Sequence, residues 1–479
     1  MEQPSPADSM GLTETPRLAV IGAGFTGSLT ATQLLRNATK PFDLLLLERR
    51  PPFGSGTAFA TSLPCHLLNV PVSRMSAIAG EPDHLLRWLA NGGSPEPSLA
   101  SESAYLPRQV YGAYVEHTLR AAAESSCARL VRMVGEAVSI DAAEHGARIR
   151  LRDGTSIEAR CVVLAIGNPP PSDPLGGVSP PSSRRYAGDP WDPAALDGLE
   201  PDDPVLTIGS NLTMVDIALA LEHRSHRGPI VAISTHGLLP HPHEENLPPA
   251  WGPRVGRQAL TPRRLIQAMR EEVSAAAKAG VGWRSVVDSM RPKTGLIWAS
   301  WPDRERRRFL RHARPYWEVH RHRMAPENAR TIAALRRSGQ LRVEAGRIVG
   351  AREGRSSIEV RVIRRGSAAL QTFDVSRVVN CTGPEMQYRL SRDPLVRDLL
   401  ARGLARPGPL GLGFDAGERG ALIGADGRPS TVLFTLGPPL KGLFWETTAV
   451  PEIREQAASL AALLGPRFSE PERLSPELS

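Results

Sequence analysis

The chain has 479 residues, which is enough for about three domains of ordinary size. With 41% hydrophobic and 23% charged residues, its composition is typical of a globular protein and argues against a fibrous, disordered or membrane-spanning chain. The net charge of +8 comes almost entirely from arginines that are interspersed with aspartate and glutamate, so charge alone does not indicate a nucleic-acid-binding protein.

Four cysteines lie far apart and form no C-x-x-C pair. This spacing disfavours a disulfide framework, a zinc knuckle and a dithiol redox centre. The amino-terminal sequence is polar and acidic and lacks the apolar core of an export signal. We therefore expect a cytoplasmic protein that is not inserted in a membrane.

The first predicted elements follow a flexible tail of residues 1–15. Residues 17–50, RLAVIGAGFTGSLTATQLLRNATKPFDLLLLERR, have the pattern of a strand, a glycine turn, a helix and a second strand. Both strands are almost entirely apolar, which is typical of a parallel sheet covered by helices. The segment is predicted to be one complete βαβ unit.

Three glycines in this unit, Gly22, Gly24 and Gly27, form a G-x-G-x-x-G turn, and Glu48 ends the next strand at the spacing of a ribose acceptor. The glycines allow a tight turn, close approach of a diphosphate and close packing of helix on strand. The carboxylate can accept both ribose hydroxyls and repels a 2′-phosphate, which favours FAD or NAD. Two later segments, CVVLAIG (161–167) and LFTLGPP (433–439), resemble flavoprotein strands and favour FAD.

A Pro-rich break at residues 168–183 precedes a second strand, turn and helix that begin at Val205. Gly209, Asn211 and Met214 occupy the three glycine places of this turn, so only the first glycine is kept.

The strand after the second turn ends at Ser234 rather than at an acid, so a 2′-phosphate is not repelled, and His236, with Arg224 and Arg227, can offset its charge. The pattern permits NADPH, with NADH as an alternative, and leaves open a degenerate site without nucleotide.

The predicted fold class is α/β, with two Rossmann-like dinucleotide-binding domains of the flavoprotein type and a helical insertion. The expected divisions of the chain are a first part of the FAD-binding domain (16–183), an NAD(P)-binding domain (184–370) with a helical insertion (251–339), a second part of the FAD-binding domain (371–466) and a flexible tail (467–479).

Longer motifs extend along nearly the whole ordered chain. They are GAGFTG, CHLLNVPVSRMSA (65–77), PRQVYGAYV (107–115), IGSNLTMVD (208–216), ISTHGLLP (233–240), RRRFLRHARPYWEVHRHRMAPE (306–327), VVNCTGPE (378–385) and GLFWETTAVPEIR (442–454). Together they resemble a family of bacterial FAD/NAD(P)-binding flavoproteins that includes flavin-dependent N-monooxygenases, among them an aspartate N-monooxygenase.

The resemblance implies roles for three further segments of this chain. The segment from His66 to Pro71 and Met75 would lie near the isoalloxazine, Arg108 and Tyr111 would help to hold FAD, and the loop after Gly437 with Trp445 would cover the flavin. The family usually has a glycine at Asn211 and arginines near Thr235 and His236. Both differences concern the nicotinamide nucleotide and leave the FAD prediction unchanged.

The residues expected at the two cofactors belong to the two turns, the strand ends and the flavin-facing loops. They are Gly22, Gly24, Phe25, Thr26, Gly27, Glu48, Arg49, Asn69, Val70, Met75, Arg108, Tyr111, Gly167, Gly209, Ser210, Asn211, Thr213, His236, Gly383, Gly437 and Trp445. Asn69 is either a hydrogen-bonding partner of the flavin or nicotinamide, or a turn residue before Pro71. His66 is either an acid in the pocket or a structural hydrogen-bonding group.

An arginine-rich run between Arg304 and Arg323 includes several aromatic residues. Because a guanidinium group binds a carboxylate through two hydrogen bonds, His320, Arg321 and Arg323 are candidates for a carboxylate-bearing substrate. A solvated helix face is the more common explanation of such a run, and nucleic-acid binding is a weaker one.

Two nucleotide sites in one chain imply hydride transfer from a nicotinamide to a flavin. The main hypothesis is an FAD-dependent NAD(P)H monooxygenase that uses oxygen, through a peroxyflavin, to hydroxylate a small amine or amino acid. The alternatives are an FAD-dependent oxidoreductase without oxygen transfer and a flavin-containing binding or regulatory protein. The pattern assigns no catalytic residue and no metal ligand, and it leaves the oligomeric state and the substrate open.

Overall fold

The computed structural model describes residues 15–176, 183–246, 249–252 and 261–469. Most of the tail expected at residues 1–15 and part of the Pro-rich break therefore lie outside the described residues. The described chain contains two mainly parallel sheets, each with a glycine turn after one of its inner strands, and a small antiparallel sheet of three strands.

The amino-terminal part begins with the predicted βαβ unit. Its elements are β1 (Arg17–Ile21), α1 (Phe25–Arg36), β2 (Asp43–Glu48), α2 (Gly56–Phe59), α3 (His84–Trp88), α4 (Arg108–Ser125), β3 (Arg129–Val134), β4 (Ala137–Ala143), β5 (Gly146–Leu151), β6 (Ser156–Ala159) and β7 (Cys161–Leu164).

The central part contains a second sheet, interrupted by helices. Its elements are β8 (Tyr186–Ala187), β9 (Val205–Ile208), α5 (Leu212–His223), β10 (Ile230–Ser234), α6 (Pro262–Lys278), α7 (Trp283–Ser289), α8 (Arg291–Ser300), α9 (Asp303–His312), α10 (Arg314–Arg321), α11 (Pro326–Arg337), β11 (Leu341–Glu353), β12 (Ile358–Arg364), β13 (Leu370–Val375) and β14 (Arg377–Asn380).

The carboxy-terminal part returns to the first sheet. Its elements are α12 (Pro394–Ala401), β15 (Ala421–Ile423), β16 (Pro429–Thr435), α13 (Lys441–Phe444) and α14 (Val450–Ser469).

The first sheet has the strand order β15-β16-β7-β1-β2-β3 and is parallel apart from β15. Helices α1, α4 and α14 cover one face, where Leu29, Tyr114 and Leu460 are buried. Both faces of the central strands are buried, which explains their continuous apolar sequence. Strand β16, from the segment that resembles a flavoprotein strand, pairs with β7 and brings Gly437 back to the first turn.

The second sheet has the order β13-β12-β11-β10-β9-β14-β8. The five strands from β8 to β11 in this order are parallel, whereas β12 and β13 are antiparallel additions. Helices α5 and α11 pack on one face of the sheet. The two units have the predicted α/β class and doubly repeated dinucleotide-binding topology.

The predicted helical insertion contains helices α6 to α11, between Pro262 and Arg337. Trp298, Trp301 and Phe309 from α8, α9 and the connection between them are buried in one cluster with Leu164 of the first sheet. Helix α11 instead packs against α5 and β11 of the second unit. The helical segment therefore bridges the two units.

Two expected segment boundaries differ from the structure. Strand β14 pairs with β9, so the second sheet continues to Asn380 rather than ending near residue 370. Helix α14 continues to Ser469, into the segment expected to be a tail, because Phe468 is buried against Phe42.

Candidate functional site

The first glycine turn connects β1 to α1. Gly22 has φ +96°, and a Cβ atom there would lie 2.4 Å from the carbonyl oxygen of Ala165. A Cβ atom on Gly27 would lie only 1.8 Å from the carbonyl oxygen of Gly22. Both positions therefore require glycine because the helix, the turn and β7 are in backbone contact.

The amino-terminal end of α1 is left without a side-chain cap, since Gly24 is its N-cap residue. Phe25 and Thr26 form its buried first turn. The loop after β16 approaches this turn closely, because a Cβ atom on Gly437 would lie 3.2 Å from the Thr26 hydroxyl oxygen. A helix terminus without a side-chain cap, enclosed by glycine loops, can accept a diphosphate.

Glu48 lies at the end of β2 and points to the same turn. Its Oε2 atom accepts the Ala23 amide hydrogen at 2.7 Å, and its Oε1 atom accepts that of Arg50 at 3.3 Å. The carboxylate is therefore held at the turn, where a ribose would lie. Arg49 points elsewhere: its guanidinium is 46% exposed and lies 3.9 Å from the Asp393 carboxylate.

The predicted flavin loop, residues 66–75, is tied to both nucleotide-binding units. The His66 ring contacts the Thr61 hydroxyl at 2.8 Å and the Asp216 carbonyl oxygen at 3.0 Å, so both of its nitrogens are engaged. Burial lowers the pKa of His66, which favours its neutral form. These contacts agree with the structural alternative for His66 rather than with a pocket acid.

The remaining predicted residues of this loop have different surroundings. The backbone carbonyl of Asn69 lies 3.0 Å from Nε2 of His243, and Val70 is half-buried at the edge of the core. Met75 is buried, and its carbonyl oxygen accepts the hydroxyl of the fully buried Tyr111 at 2.9 Å. Tyr111 therefore packs in the core and is hydrogen-bonded to the loop on its buried side.

Arg108 connects the two units. Its guanidinium donates to both carboxylate oxygens of Asp216 at 2.9 Å, and to the Leu67 carbonyl oxygen at 3.2 Å. Asp216 lies on α5 of the second unit, and both side chains are largely buried. The pair fixes α5 against the predicted flavin loop.

The second turn repeats one contact of the first. Gly209 has φ +110°, and a Cβ atom there would lie 2.4 Å from the carbonyl oxygen of Cys381. Asn211 is the N-cap residue of α5, and its side-chain oxygen accepts the Leu212 amide hydrogen at 3.0 Å. Met214 is fully buried in the core beneath the helix.

The other residues predicted around the second turn lie just before α5, in its first turn, or just after β10. The buried Ser210 donates its hydroxyl to the Leu238 carbonyl oxygen at 2.5 Å, and Thr213 is half-buried. The His236 ring packs edge-on against Tyr316, and desolvation and the nearby Arg365 lower its pKa.

Gly167 and Gly383 follow β7 and β14 and have φ +67° and +86°. Neither has a heavy atom within 4 Å of its Cβ position, beyond its chain neighbours. Both central strands therefore end in open backbone, where a ligand can approach.

Trp445 lies largely inside the protein, at the wall of a second small cavity with Lys441 and Glu446. It is buried, its ring stacks on Trp298 at 5.0 Å, and the Lys441 ammonium lies 4.8 Å from its ring centre. Its φ of +58° places the residue in a region that L-amino acids rarely adopt. The role implied for it over the flavin stays a prediction.

The three candidate substrate residues have different partners, although His320 and Arg323 both contact the Trp283 ring. The His320 ring packs against His241 at 4.5 Å and Trp283 at 5.0 Å. Arg321 pairs with the buried Glu446 at 3.1 Å. Arg323 is 1% exposed and pairs with Asp288.

A small cavity lies between the predicted flavin loop and α7. Its lining residues are Pro71, Arg74, Ser103, Tyr105, His243, Glu244, Glu245, Asn246 and Asp288. Burial and Arg323 lower the pKa of His243 to about 3, so the ring is neutral, and burial raises the pKa of Tyr105 to about 12. The cavity is therefore lined largely by polar side chains and borders the predicted flavin loop at Pro71.

Most of the other arginines in the run are neutralised locally. Arg306, Arg308 and Arg314 pair with acids three or four residues away on their own helices. This arrangement gives a solvated helix face rather than an open basic surface.

Sequence patterns did not identify several residues that complete the site. A Cβ atom on Gly56 would lie 2.8 Å from the Cα atom of Gly24, and the Gly54 amide donates to Ala23. Gln456 accepts the Gly437 amide hydrogen at 2.7 Å. The two glycines of the FGSG sequence after β2 could have indicated the contact between Gly56 and Gly24. A single glutamine such as Gln456 gives no comparable signal in the sequence.

All four cysteines lie within the described residues and are free thiols. Among these residues, His, Cys, Asp and Glu side chains form no group of three that could hold a metal ion. None of the described helices is long and apolar enough to cross a bilayer.

Residues 19–169 match the model of an FAD-NAD(P)-binding family. A comparison with curated proteins found no significant match. Solved structures cover nearly the whole chain. An ornithine hydroxylase from Pseudomonas aeruginosa has a TM-score of 0.65 at 14% identity, with 95% of this chain and 100% of that chain covered.

Two further structures show the same fold. A cadaverine monooxygenase from Erwinia amylovora, bound to FAD, has a TM-score of 0.65 at 13% identity and covers 98% of each chain. An ornithine N-hydroxylase from Kutzneria sp. 744, with reduced FAD, NADP⁺ and L-ornithine, has a TM-score of 0.60 at 14% identity, with 95% and 99% covered. The predicted flavoprotein fold, with an FAD-NAD(P)-binding domain at residues 19–169, is thereby confirmed.

Proposed function

We propose that this protein is an FAD-dependent, NADPH-using monooxygenase that transfers one oxygen atom from O₂ to the nitrogen of a small amine or amino acid. The observation that carries the proposal is the presence of two glycine cradles, at Gly22 and Gly209, in one chain. Each opens a strand–turn–helix unit in its own parallel sheet. The shared fold with an ornithine hydroxylase and a cadaverine monooxygenase supports the same chemistry.

The first cradle has the features that FAD requires. The turn from Gly22 to Gly27 leaves no room for a Cβ atom at either end and presents an α1 terminus without a side-chain cap. Glu48 would hold the adenosine ribose and the loop at Gly437 would enclose the diphosphate. When bound, FAD supplies the redox chemistry, namely acceptance of a hydride and activation of oxygen.

The second cradle would hold NADPH, with NADH as the alternative. No acidic side chain ends β10, whose last residue is Ser234. His236 and the nearby Arg365 would supply positive charge to a 2′-phosphate. The family departures at Asn211 and His236 lower the expected affinity without removing the site.

The protein's own contribution is positioning and exclusion of water. The Arg108–Asp216 pair and the His66 hydrogen bond to Asp216 hold α5 of the second unit against the loop from His66 to Met75. This contact keeps the two nucleotide sites in a fixed relation. Buried side chains beneath the loop, including Tyr111, keep its rear face dry.

The proposed setting is the cytoplasm. Four free thiols without a paired partner fit a reducing compartment. The same absence of a pair among the described cysteines argues against a disulfide reductase, which needs two neighbouring thiols.

The experiment is a coupled product analysis with the FAD-loaded protein. NADPH consumption, hydroxylated amine and hydrogen peroxide are measured together for a panel of diamines and amino acids, with NADH in a parallel series. We expect one compound to stimulate NADPH oxidation and to yield its N-hydroxylated product. Oxidation of NADPH with only peroxide formed for every compound would instead support an oxidoreductase without oxygen transfer.

A further inference from the structure

Tyr316, on α10, has an aromatic ring that is open to solvent. The residue is 45% exposed, and among the described residues only one other strongly exposed large hydrophobic side chain, Phe444, is aromatic. A single exposed aromatic residue is ordinary on a protein surface, so its position decides whether it has a use. Tyr316 is notable because it lies at one of the two candidate nucleotide sites.

The Tyr316 ring lies beside the end of β10. This strand ends at Ser234, and the ring of His236, two residues later, meets the Tyr316 ring edge-on with 5.8 Å between their centres. In a dinucleotide-binding unit, the end of the second strand receives the ribose of the adenosine. The adenine of a nucleotide bound at the second turn would therefore lie close to Tyr316.

Helix α10 packs along the segment that follows β10. The His241 amide donates to the Val319 carbonyl oxygen at 3.0 Å, and the rings of His241 and His320 are 4.5 Å apart. Tyr316 and His320 are four residues apart, so they share one face of the helix. Two ring contacts on this face, with His236 and with His241, fix the tyrosine at the end of the strand.

Other side chains of α10 hold the helix to the first unit. Trp317 and Arg321 donate to the two carboxylate oxygens of Glu446, each at 3.1 Å. Thr447, the next residue, donates its hydroxyl to the Gly437 carbonyl oxygen at 3.0 Å. These bonds fix the helix without using its exposed tyrosine, whose ring is therefore held in place with much of its surface open.

We propose that Tyr316 is the stacking surface for the adenine of the nicotinamide dinucleotide, so that a residue of the helical insertion completes the second nucleotide site. The inference deepens the proposed function and rests on it. Every base has a flat face that stacks on an aromatic ring. His236 and Arg365 would bind the 2′-phosphate beside it. The ring therefore contributes equally to NADPH and NADH, whereas the charges contribute only to NADPH.

A base contact also offsets two features of the second turn. The Asn211 side chain accepts the Leu212 amide hydrogen at 3.0 Å, so this donor does not face a diphosphate, and Met214 replaces the third glycine. We therefore expect the diphosphate to be held less tightly here than at the first turn. Stacking on an aromatic ring that is already fixed adds affinity without open backbone.

The test measures binding of unreactive nucleotides to the oxidised, FAD-loaded protein by calorimetry. The ligands are NADP⁺, NAD⁺ and ADP, which share the adenine. Tyr316→Ala should weaken the binding of all three by the same factor, about tenfold. Tyr316→Leu, which keeps an apolar side chain without the ring, should also lose affinity. Tyr316→Phe keeps the ring and should stay within about twofold of the unmodified protein.

Two further variants assign the effect to the base. His236→Gln should weaken binding of NADP⁺ but not of NAD⁺ or ADP, because only NADP⁺ carries the 2′-phosphate. Leu296→Ala, at a 63% exposed residue on α8 of the same insertion, is the control and should change none of the three affinities. A loss in Tyr316→Ala that is confined to NADP⁺ would show that the ring acts on the phosphate through His236, and would overturn the adenine contact.

The same measurements separate this inference from the proposed function. Flavin absorbance and thermal unfolding establish that each variant is folded and holds FAD, and Tyr316→Leu provides the test if Tyr316→Ala does not fold. Equal affinities in these variants and in the unmodified protein would overturn the inference alone. If the unmodified protein binds neither NADP⁺ nor NAD⁺, the second nucleotide site of the proposed function is contradicted, and the inference is overturned with it.

Discussion

Gly22 in the first turn and Gly209 in the second occupy the same place relative to the neighbouring strand. In each case a Cβ atom would lie 2.4 Å from a carbonyl oxygen, that of Ala165 or Cys381. The next positions differ. Gly24 leaves the terminus of α1 without a side-chain cap, whereas Asn211 caps α5. Gly27 is in close contact with the backbone of the first turn, whereas Met214, at the corresponding place in the second unit, packs in the hydrophobic core.

The comparison separates two reasons for glycine in such a turn. The first glycine is required by the backbone of the fold, so both turns keep it. The second and third are required by close ligand approach and close helix packing, and the second unit has replaced both. We therefore expect nucleotide binding at the second turn to depend more on side chains such as His236 than on open backbone.

The largest expected effect is at Gly27. Gly27→Ala places a methyl group 1.8 Å from the Gly22 carbonyl oxygen and should destabilise the protein by about 3 kcal/mol, with loss of bound FAD. Urea unfolding and flavin content measure both quantities. Met214→Leu, at the corresponding place of the second turn, should cost about 1 kcal/mol or less. If Gly27→Ala leaves the stability unchanged, α1 tolerates a side chain at this position as α5 does at Met214, and the proposed difference in packing is wrong.

Glu48 provides the second difference, since Ser234 ends the corresponding strand. Glu48→Gln removes the negative charge of the group that accepts hydrogen bonds from the Ala23 amide and, when FAD is bound, from the ribose. FAD binding should therefore weaken by about tenfold to a hundredfold. Fluorescence titration of the apoprotein with FAD gives the dissociation constant. The exposed Glu124→Gln is the control, and equal affinities in the two variants would remove Glu48 from the site.

Asn211 allows the second turn to be made more like the first. Asn211→Gly removes the side-chain bond to the Leu212 amide, which frees that donor for a diphosphate. We expect the dissociation constant for NADPH to fall about fivefold, while stability changes by only a few tenths of a kcal/mol. Asn211→Ser keeps a capping oxygen and should show no gain; tighter binding in both variants would contradict this explanation.

The smallest expected effect is a pH dependence of NADPH binding at the second site. The pKa of His236 lies below its usual value in the free protein, and a neighbouring 2′-phosphate would raise it. Binding then takes up a proton, so NADPH affinity should increase as pH falls, by about threefold from pH 8 to pH 6.5. His236→Gln should lose this part of the pH dependence, and NADH should lack it. Identical profiles for both proteins would exclude His236 from the phosphate site.

Local patterns predicted the parts of the fold that local interactions determine. The β1–α1–β2 unit and the second strand–turn–helix unit both follow from apolar strands next to glycine turns. Strand β14 was assigned to the wrong segment because its four residues, RVVN, do not show which of the two sheets they join; in the structure all four are buried, next to β9.

The candidate site was predictable only where one motif contains it. Arg323 lies in a run in which every arginine looks alike, and what distinguishes it is a partner, Asp288, that is shared with the distant Arg74. The Arg108–Asp216 pair likewise joins residues 108 positions apart in sequence. Such pairings depend on tertiary structure, which no local pattern contains.

The most direct test of the two-site account is anaerobic mixing of the FAD-loaded protein with NADPH while the yellow flavin absorbance is recorded. Two working nucleotide sites predict that this absorbance bleaches and that it returns when oxygen is admitted. Protein that folds but takes up no FAD, or bound flavin that neither NADPH nor NADH reduces, would contradict the account.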